Sequence, residues 1–259
     1  MPDVKPRLLL TGAAGRIGRA VLPALSQRWE VTATDLPGRR CPVLDVTDLA
    51  ACRQACFGVD AVVHMAGNPS TEAPWEELLP ANVIGAYNIA QAAMDAGVRR
   101  LVLASSIQAV VGYPKSRQFR AEDRVRPDNL YGVTKAWSEA LGSWVASAST
   151  TTVVVLRIGF CLEHPPSGPE ATPLDLAMWL SYGDVARLVV AAASAPGVEY
   201  FVANGISANR FQRLDLETTR AALGYEPLDD AWAFADPGPT SPADRGRGGP
   251  WRKRPGAPR

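Results

Sequence analysis

Three glycines spaced three residues apart, where an apolar run meets a helical segment, constrain this chain more than any other feature. They stand in the segment TGAAGRIG, which follows three consecutive leucines. Such glycines permit a tight turn, close approach of the backbone to a pyrophosphate, and close packing of helix on strand. The helix N-terminus then offers amides and the positive end of its dipole to the phosphates. The segment predicts dinucleotide contacts from Gly12, Ala14, Gly15, Arg16, Ile17 and Gly18.

A carboxylate ends the next predicted strand, because Asp35 follows the first of these glycines by 23 residues. An acidic side chain at this place accepts hydrogen bonds from the adenosine ribose and repels a 2′-phosphate. We therefore predict that the cofactor is NAD rather than NADP. Arg39 and Arg40 follow a few residues later and leave open the alternative that they meet a 2′-phosphate.

Two further segments fit the same pocket. The first, which contains Asp45 and Val46, presents a carboxylate toward the adenine amine. The second, residues 65–67, ends a strand with small residues that let the backbone lie against the cofactor. His64, which precedes the second segment, is predicted to be a packed residue at a strand end rather than an acid or base. The contacts predicted from these segments are Asp45, Val46, Met65, Ala66 and Gly67.

Apolar runs of strand composition alternate with segments of helical period along most of the chain. Buried apolar strands that alternate with helices indicate a parallel sheet covered on both faces. The predicted fold class is α/β, a Rossmann-type doubly wound parallel sheet with a small C-terminal substrate-binding portion. The predicted strands cover residues 7–11, 30–35, 61–64, 100–104, 152–157 and 200–203.

The predicted domain spans residues 1–235 and carries its small substrate-binding elements at about 158–182 and 204–235. The polar loop 113–129 and the Pro- and Gly-rich loop 162–172 are long enough to cover a site. Residues 236–259 are rich in Pro, Gly and Arg and cannot bury a core, so we expect a disordered basic tail.

The composition narrows the range of partners. Lys and Arg number 27 against 26 Asp and Glu, so neither a nucleic acid nor a membrane is an expected partner. The apolar stretch near the N-terminus is too short for a signal sequence or a membrane span. Four cysteines without a C-x-x-C pair and two histidines predict reduced thiols and no metal site. We therefore expect a cytoplasmic protein.

Tyr131 and Lys135 stand four residues apart at the start of a predicted helix, which places them on one face. A cation about 5 Å from a phenol, at an effective dielectric of about 20, stabilises the phenolate by roughly 3 kcal/mol. We therefore expect Lys135 to lower the pKa of Tyr131, which would take a proton from a substrate alcohol. Ser106, at the end of the preceding strand, would orient the substrate oxygen. These three residues form the predicted catalytic group, and Tyr131 and Lys135 also contact the cofactor.

With these motifs, the chain resembles the extended short-chain dehydrogenases, the NAD-dependent epimerase/dehydratase family, over about residues 7–235. The resemblance lies in TGAAGRIG, Asp35, HMAG, NVIGAYN from Asn82, LASS ending at Ser106, LYGVTK around Tyr131 and LRIG ending at Gly159. It implies an NAD-dependent oxidoreductase in which Asn82 also contacts the cofactor. It further implies a homodimer paired through the helix after Asn82 and the helix that carries Tyr131.

Within that family the chain is most similar to the uronate dehydrogenases, with departures where the substrate is held. Those enzymes carry Ser-Asn-His where this chain has Ser106-Ile107-Gln108, and a serine where Phe160 stands. They also use an arginine for the sugar carboxylate, yet no Arg or Lys occurs between Arg157 and Arg187 here. The resemblance implies a small sugar-like substrate, and these departures predict a neutral one rather than a uronate. The implied substrate contacts are Ser70, Ser106, Ile107, Gln108 and Phe160.

The predicted function is hydride transfer between NAD and this substrate, and two alternatives stay open. An NAD-dependent sugar epimerase needs a larger C-terminal lobe to hold a nucleotide than the residues after position 158 provide. A regulatory protein that binds NAD without turnover has no use for a complete Ser, Tyr and Lys group. Reduction of bound NAD by an alcohol distinguishes a dehydrogenase from a regulatory protein.

Overall fold

The computed structural model describes residues 5–39, 41–169 and 171–234. The strands are β1 Arg7–Thr11, β2 Glu30–Thr34, β3 Ala61–His64, β4 Arg100–Ser106, β5 Thr152–Ile158, β6 Phe160–Cys161, β7 Trp179–Leu180 and β8 Tyr200–Gly205. The helices are α1 Arg16–Arg28, α2 Leu49–Cys56, α3 Trp75–Leu78, α4 Ala86–Asp95, α5 Leu130–Ala148, α6 Pro173–Leu176, α7 Tyr182–Ser194, α8 Glu217–Leu223 and α9 Ala231–Phe234. A π-helical segment, Leu79–Gly85, joins α3 to α4, and a 3₁₀ turn, Ile107–Ala109, follows β4.

Six strands form one parallel sheet in the order β2-β1-β3-β4-β5-β8. The chain leaves β1 toward β2 on one side and later returns to place β3 on the other side. This reversal opens a crevice at the carboxyl ends of β1 and β3, where ligands of doubly wound sheets bind. The predicted fold class is confirmed. All six predicted strands are present, with ends that differ from the prediction by at most two residues.

Alternation along β1 divides the core between the two faces of the sheet. Leu8 and Leu10 belong to the cluster that includes residues of α1 and α7, whereas Leu9 belongs to the cluster with α2 and α4. All three side chains are fully buried. A strand buried on both faces must be largely apolar, which is why the leucine run becomes an interior strand of the sheet.

The smaller C-terminal portion is built around two short parallel strands. Phe160 of β6 pairs with Trp179 of β7, and the segment between them contains α6. These elements lie within residues 158–182, and α8 and α9 lie within residues 204–235. The predicted tail, residues 236–259, lies outside the described residues. Within the described part of the chain, no helix has the length and hydropathy needed to cross a membrane.

Candidate active site

The glycine-rich turn after β1 has room for glycine and for no larger residue at two of its three positions. Gly12 has φ of +70°, and a Cβ there would lie 2.6 Å from the backbone nitrogen of Ala66. A Cβ on Gly18 would lie 2.1 Å from the Gly12 carbonyl oxygen. Gly15 is the N-cap of α1, and no side chain caps that helix end. The amides of the first turn are therefore available to an anion.

Asp35 follows β2 and contacts this turn directly. Its carboxylate accepts hydrogen bonds from the amides of Ala14 and Leu36, each at 2.8 Å. The acidic group therefore lies beside the turn, as the predicted ribose contact requires. The hydrogen bond from the Ala14 amide to Asp35 therefore joins the turn to the end of β2. Arg39 is exposed, and Arg40 lies outside the described residues.

The other predicted cofactor segments border the same crevice. The exposed Asp45 carboxylate accepts from the amide and hydroxyl of Thr47, and the buried Val46 packs against Gly85. Met65 and Ala66 are half-buried just beyond the end of β3.

Asn82 ties this crevice to the helix of the predicted catalytic group. Its Oδ1 accepts from the Asn68 amide at 2.7 Å, and its Nδ2 donates to the Asn68 carbonyl at 3.0 Å and to Thr134 Oγ1 at 3.1 Å. A Cβ on Gly67 would lie 3.0 Å from Asn82 Oδ1 and 3.8 Å from Lys135 Nζ. Asn82 belongs to the π-helical segment, a geometry frequent at functional sites. One amide thus fixes the loop after β3 against α5.

The structure brings Ser106, Tyr131 and Lys135 together at the carboxyl edge of the sheet. Tyr131 stands in the first turn of α5, whose N-cap Asn129 accepts from the Gly132 amide. Ser106, the last residue of β4, is hydrogen-bonded to the Tyr131 side chain. Lys135 Nζ lies 5.5 Å from the centroid of the Tyr131 ring.

The electrostatics of this group differ from the sequence expectation. Burial raises the pKa of Tyr131 to about 12, opposed by its hydrogen bond with Ser106. Burial also lowers the pKa of Lys135 to about 8, and its Nζ donates to the Ala104 carbonyl at 3.1 Å. The expectation that Lys135 lowers the pKa of Tyr131 was therefore wrong for the protein alone. Loss of water around each group is the largest cause of its shift.

His64 has a structural place, in accord with its sequence interpretation. The ring is buried, and its Nδ1 lies 2.7 Å from Thr11 Oγ1 on the neighbouring strand. Burial, followed by repulsion from Lys135, lowers the pKa of His64 to about 3. The imidazole therefore stays neutral near pH 7.

The predicted substrate contacts fall into two groups. Ser70 is exposed, Phe160 is half-buried, and Gln108 Oε1 accepts from Asn129 Nδ2 at 2.8 Å, close to the start of α5. Ile107 instead lies within the hydrophobic core, with 1% of its surface exposed. This corrects its expected place against the substrate: the 3₁₀ turn after β4 points this side chain into the core.

Three residues that support the site were not singled out from the sequence. Arg157 donates to the carbonyls of Arg120, Ala121 and Asp123, and thereby anchors the loop 113–129. Glu139 accepts from Ser105 Oγ at 2.9 Å. Glu139 continues the spacing of four set by Tyr131 and Lys135, which was an available signal.

The third such residue is Arg213, whose guanidinium holds the other end of the same loop. It is 5% exposed, donates to the carbonyls of Pro114, Lys115 and Arg117, and stacks 4.1 Å from the Phe119 ring centre. Two buried arginines from separate parts of the chain therefore fix the loop that leads into α5.

A doubly wound sheet with this turn and this group at its carboxyl edge defines a class of dinucleotide-dependent enzymes. A model of the NAD dependent epimerase/dehydratase family matches residues 8–160. The chain belongs to this family, and the resemblance seen in the sequence is confirmed. Membership also confirms the prediction of an NAD-dependent enzyme of the extended short-chain dehydrogenase type.

Similar proteins include several sugar dehydrogenases. The NAD-dependent glucose-6-phosphate dehydrogenase of Haloferax volcanii is 36% identical over 251 residues, covering 88% of this chain and 95% of the relative. The L-arabinose 1-dehydrogenase (NAD(P)(+)) of the same organism is 36% identical over 248 residues, covering 87% and 97%. The crystal structure of a uronate dehydrogenase variant from Agrobacterium tumefaciens, complexed with NAD, has a TM-score of 0.78 at 32% identity and covers 89% and 88%.

Proposed function

We propose that this protein is a dehydrogenase that oxidises a hydroxyl group of a small sugar, with NAD as hydride acceptor. The observation that carries the proposal is the grouping of Ser106, Tyr131 and Lys135 beside the glycine-rich turn. Tyr131 is hydrogen-bonded to Ser106, and Lys135 Nζ lies 5.5 Å from its ring centre. The names of the similar proteins given above specify different sugars. They support a sugar as the substrate of this protein, and they do not identify which sugar it is.

The cofactor site fits a dinucleotide on the evidence of shape. The positions of Gly12 and Gly18 exclude a Cβ, and the uncapped N-terminus of α1 offers its amides. NAD, when bound, supplies the carbon that accepts the hydride. Asp35 would receive the adenosine ribose hydroxyls, and Lys135 would hold the nicotinamide ribose. Other proposed contacts are Ala14, Gly15, Arg16, Ile17, Asp45, Val46, Met65, Ala66, Gly67, Asn82 and Tyr131.

Side chains of the protein orient the substrate hydroxyl and accept the proton that it loses. Ser106 holds the substrate oxygen in place, and Tyr131 takes the hydroxyl proton as the carbon loses its hydride. A phenol with a pKa of about 12 is a weak base near pH 7. The Lys135 ammonium and the positive charge of oxidised NAD both favour the phenolate, so cofactor binding activates Tyr131.

We propose a neutral or weakly polar substrate rather than a uronate. In the sequence between Arg157 and Arg187 no Arg or Lys is present to pair with a carboxylate, and the half-buried Phe160 presents an apolar ring. Arg126 stacks 5.2 Å from the ring centre of Tyr113, in the loop that leads to α5. Arg124 and Arg126 both lie in this loop before Tyr131, and we propose them as the candidates for a replacement cation.

A substrate screen tests the proposal. Purified protein with NAD is offered aldoses, polyols, sugar phosphates and uronates, and NADH absorbance is followed. Turnover of at least one sugar supports a dehydrogenase, and its loss in Tyr131→Phe assigns the chemistry to this site. NAD binding without reduction by any of them contradicts the proposal and favours a regulatory role or an epimerase. Interconversion of a nucleotide sugar, followed by chromatography, would identify an epimerase.

We further propose that the protein is a homodimer paired through α4 and α5. Tyr87 on α4 and Trp144 on α5 stack with ring centres 6.4 Å apart, although 40% and 43% of their surfaces are exposed. Val133 and Trp137 extend the same apolar surface along α5. Light scattering tests this: the native chain should have twice the monomer mass, and Trp144→Glu should be monomeric. A monomeric native protein would contradict it.

A further inference from the structure

A cleft of about 540 Å³ opens at the amino-terminal edge of the sheet. It lies where β3, β4 and β5 begin and where α1 and α7 end. The six strands of the sheet are parallel, so their carboxyl ends form the opposite edge, and the catalytic group lies there. Ser106 and Arg100 occupy opposite ends of β4, about 20 Å apart at about 3.3 Å per residue. The cleft is therefore separate from the cofactor and substrate sites.

Arg100 is the unusual residue of this cleft. Only 9% of its surface is exposed, and its Nη2 donates to the carbonyl of Ala195 at the end of α7. Its Nη1 has no hydrogen-bond partner. A buried guanidinium nitrogen without an acceptor is costly, and most buried donors in proteins are satisfied. Arg100 thus borders the cleft as a cation whose buried Nη1 lacks an acceptor.

The charges that line the cleft are unbalanced. Arg28, Arg99 and Arg100 line it together with one carboxylate, Asp60. That carboxylate is already engaged, because Asp60 Oδ1 lies 2.7 Å from Arg99 Nη2 and its Oδ2 accepts from the Arg7 amide at 2.7 Å. Three arginines therefore line the cleft beside one carboxylate, and the excess of formal charge is positive.

We propose that this cleft binds a small oxyanion, a phosphate or carboxylate group, with Arg100 as its central contact. Guanidinium N–H pairs match the oxygens of such groups in geometry and charge. Arg28 and Arg99 stand exposed at the rim and add attraction from the solvent side. The bound anion neutralises the excess charge, and a shift of the Arg100 side chain brings Nη1, which is shielded from solvent, to the anion as a donor. It acts from outside the catalytic edge and stabilises the strand that ends in Ser106.

Thermal melting with inorganic phosphate tests the site. Phosphate replaces chloride at constant ionic strength, with NAD in excess so that the glycine-rich turn is occupied. The melting temperature should rise and saturate with phosphate, and the apparent Kd should weaken at least about tenfold in Arg100→Gln. Arg28→Gln should weaken it less. Arg210→Gln is the matched control, because Arg210 is an exposed arginine that pairs with Asp230 elsewhere.

Acetate in place of phosphate distinguishes a carboxylate site from a phosphate site, and saturation by either anion supports the proposal. No anion-specific rise in the native protein would overturn it, as would an unchanged rise in Arg100→Gln. Should Arg100→Gln fail to fold, the double variant Arg28→Gln with Arg99→Gln takes its place, since both side chains are exposed. An unchanged phosphate response in that variant would also overturn the site. None of these melting measurements depends on catalytic turnover, so they test the anion site independently of the dehydrogenase proposal.

Discussion

The Glu139 carboxylate lies one helical turn beyond Lys135 and receives both Nε and Nη2 of Arg157, each at 2.8 Å. The two side chains are 7% and 3% exposed. Because Glu139 belongs to α5 and Arg157 to β5, this bidentate pair fastens the helix of the catalytic group to the sheet. The pair is therefore a positioning element, since neither side chain is hydrogen-bonded or ion-paired to the side chain of Tyr131 or Lys135 in the described part of the chain.

Breaking this pair should strongly destabilise the protein. Glu139→Gln leaves a buried guanidinium charge without its counter-ion, and removal of one partner of a buried pair costs about 3–5 kcal/mol. Arg53→Gln is the control, because the Arg53–Asp95 pair is 53% and 35% exposed and such pairs contribute about 0–1 kcal/mol. Urea denaturation gives both values. Equal losses of unfolding free energy in the two variants would contradict the assignment.

Tyr131→Phe should abolish turnover and largely spare NAD binding, because it removes the oxygen that transfers the proton while Lys135 and the glycine-rich turn still hold the cofactor. Lys135→Met should reduce both turnover and NAD affinity, since it removes the cation beside the phenol and a proposed ribose contact. Calorimetry with NAD and initial rates with the substrate found by screening separate the two effects. Appreciable turnover by the Phe variant would refute the role of Tyr131.

Burial of Lys135 should make stability rise with pH in the alkaline range. Its pKa falls from 10.5 to about 8 on folding, so between these values the unfolded chain binds the extra proton. Unfolding free energy therefore increases with pH across this window, by up to about 3 kcal/mol, and the penalty is fully present below about pH 8. Tyr131, with its pKa raised to about 12, contributes stability that is present below about pH 10 and lost above it.

Urea denaturation of the native protein and of Lys135→Met, at about pH 7 and about pH 10, measures the Lys135 contribution. The difference in unfolding free energy between the two proteins should change in favour of the native chain as pH rises. A difference that stays constant would show that Lys135 titrates normally in the folded state.

NAD should bind at least about tenfold more tightly than NADP, a difference of about 1.4 kcal/mol. The Asp35 carboxylate lies beside the glycine-rich turn and disfavours a 2′-phosphate by charge. Titration calorimetry with both cofactors measures the ratio, which should shrink in Asp35→Asn. Comparable affinities in the native protein would instead point to Arg39 and Arg40 as phosphate contacts.

Glucuronate and galacturonate should be poor substrates. A charged hydrogen bond contributes roughly 1.5–3 kcal/mol, so a pocket without the matching arginine loses about ten- to a hundredfold in carboxylate affinity. Comparison of kcat/KM for each uronate and its parent aldose measures this loss. Should a uronate prove efficient, Arg124→Ala and Arg126→Ala identify the substitute cation by loss of that activity alone.

The turn and the sheet were readable from the sequence because both depend on local pattern. The glycine spacing and the leucine run predicted the turn and β1, and the spacing of four brought Tyr131 and Lys135 together. The Glu139–Arg157 pair was not predicted, since it depends on α5 packing against β5. The pKa of Tyr131 was predicted in the wrong direction because burial is a property of the assembled site. Ile107 was misplaced because the 3₁₀ turn after β4 ends the simple alternation of strand side chains.

The three hydrogen bonds of Asn82 have a practical consequence for redesign. They join the loop after β3 to α5, so the proposed cofactor cradle and the catalytic helix form one block. The loops 113–129 and 162–172, which the sequence predicts to cover the site, contribute none of these three hydrogen bonds. Grafting either loop from a related sugar dehydrogenase should change which sugar is accepted while leaving cofactor preference intact. Redesign of the substrate preference should therefore preserve the elements that Asn82 joins and exchange the residues of the two loops.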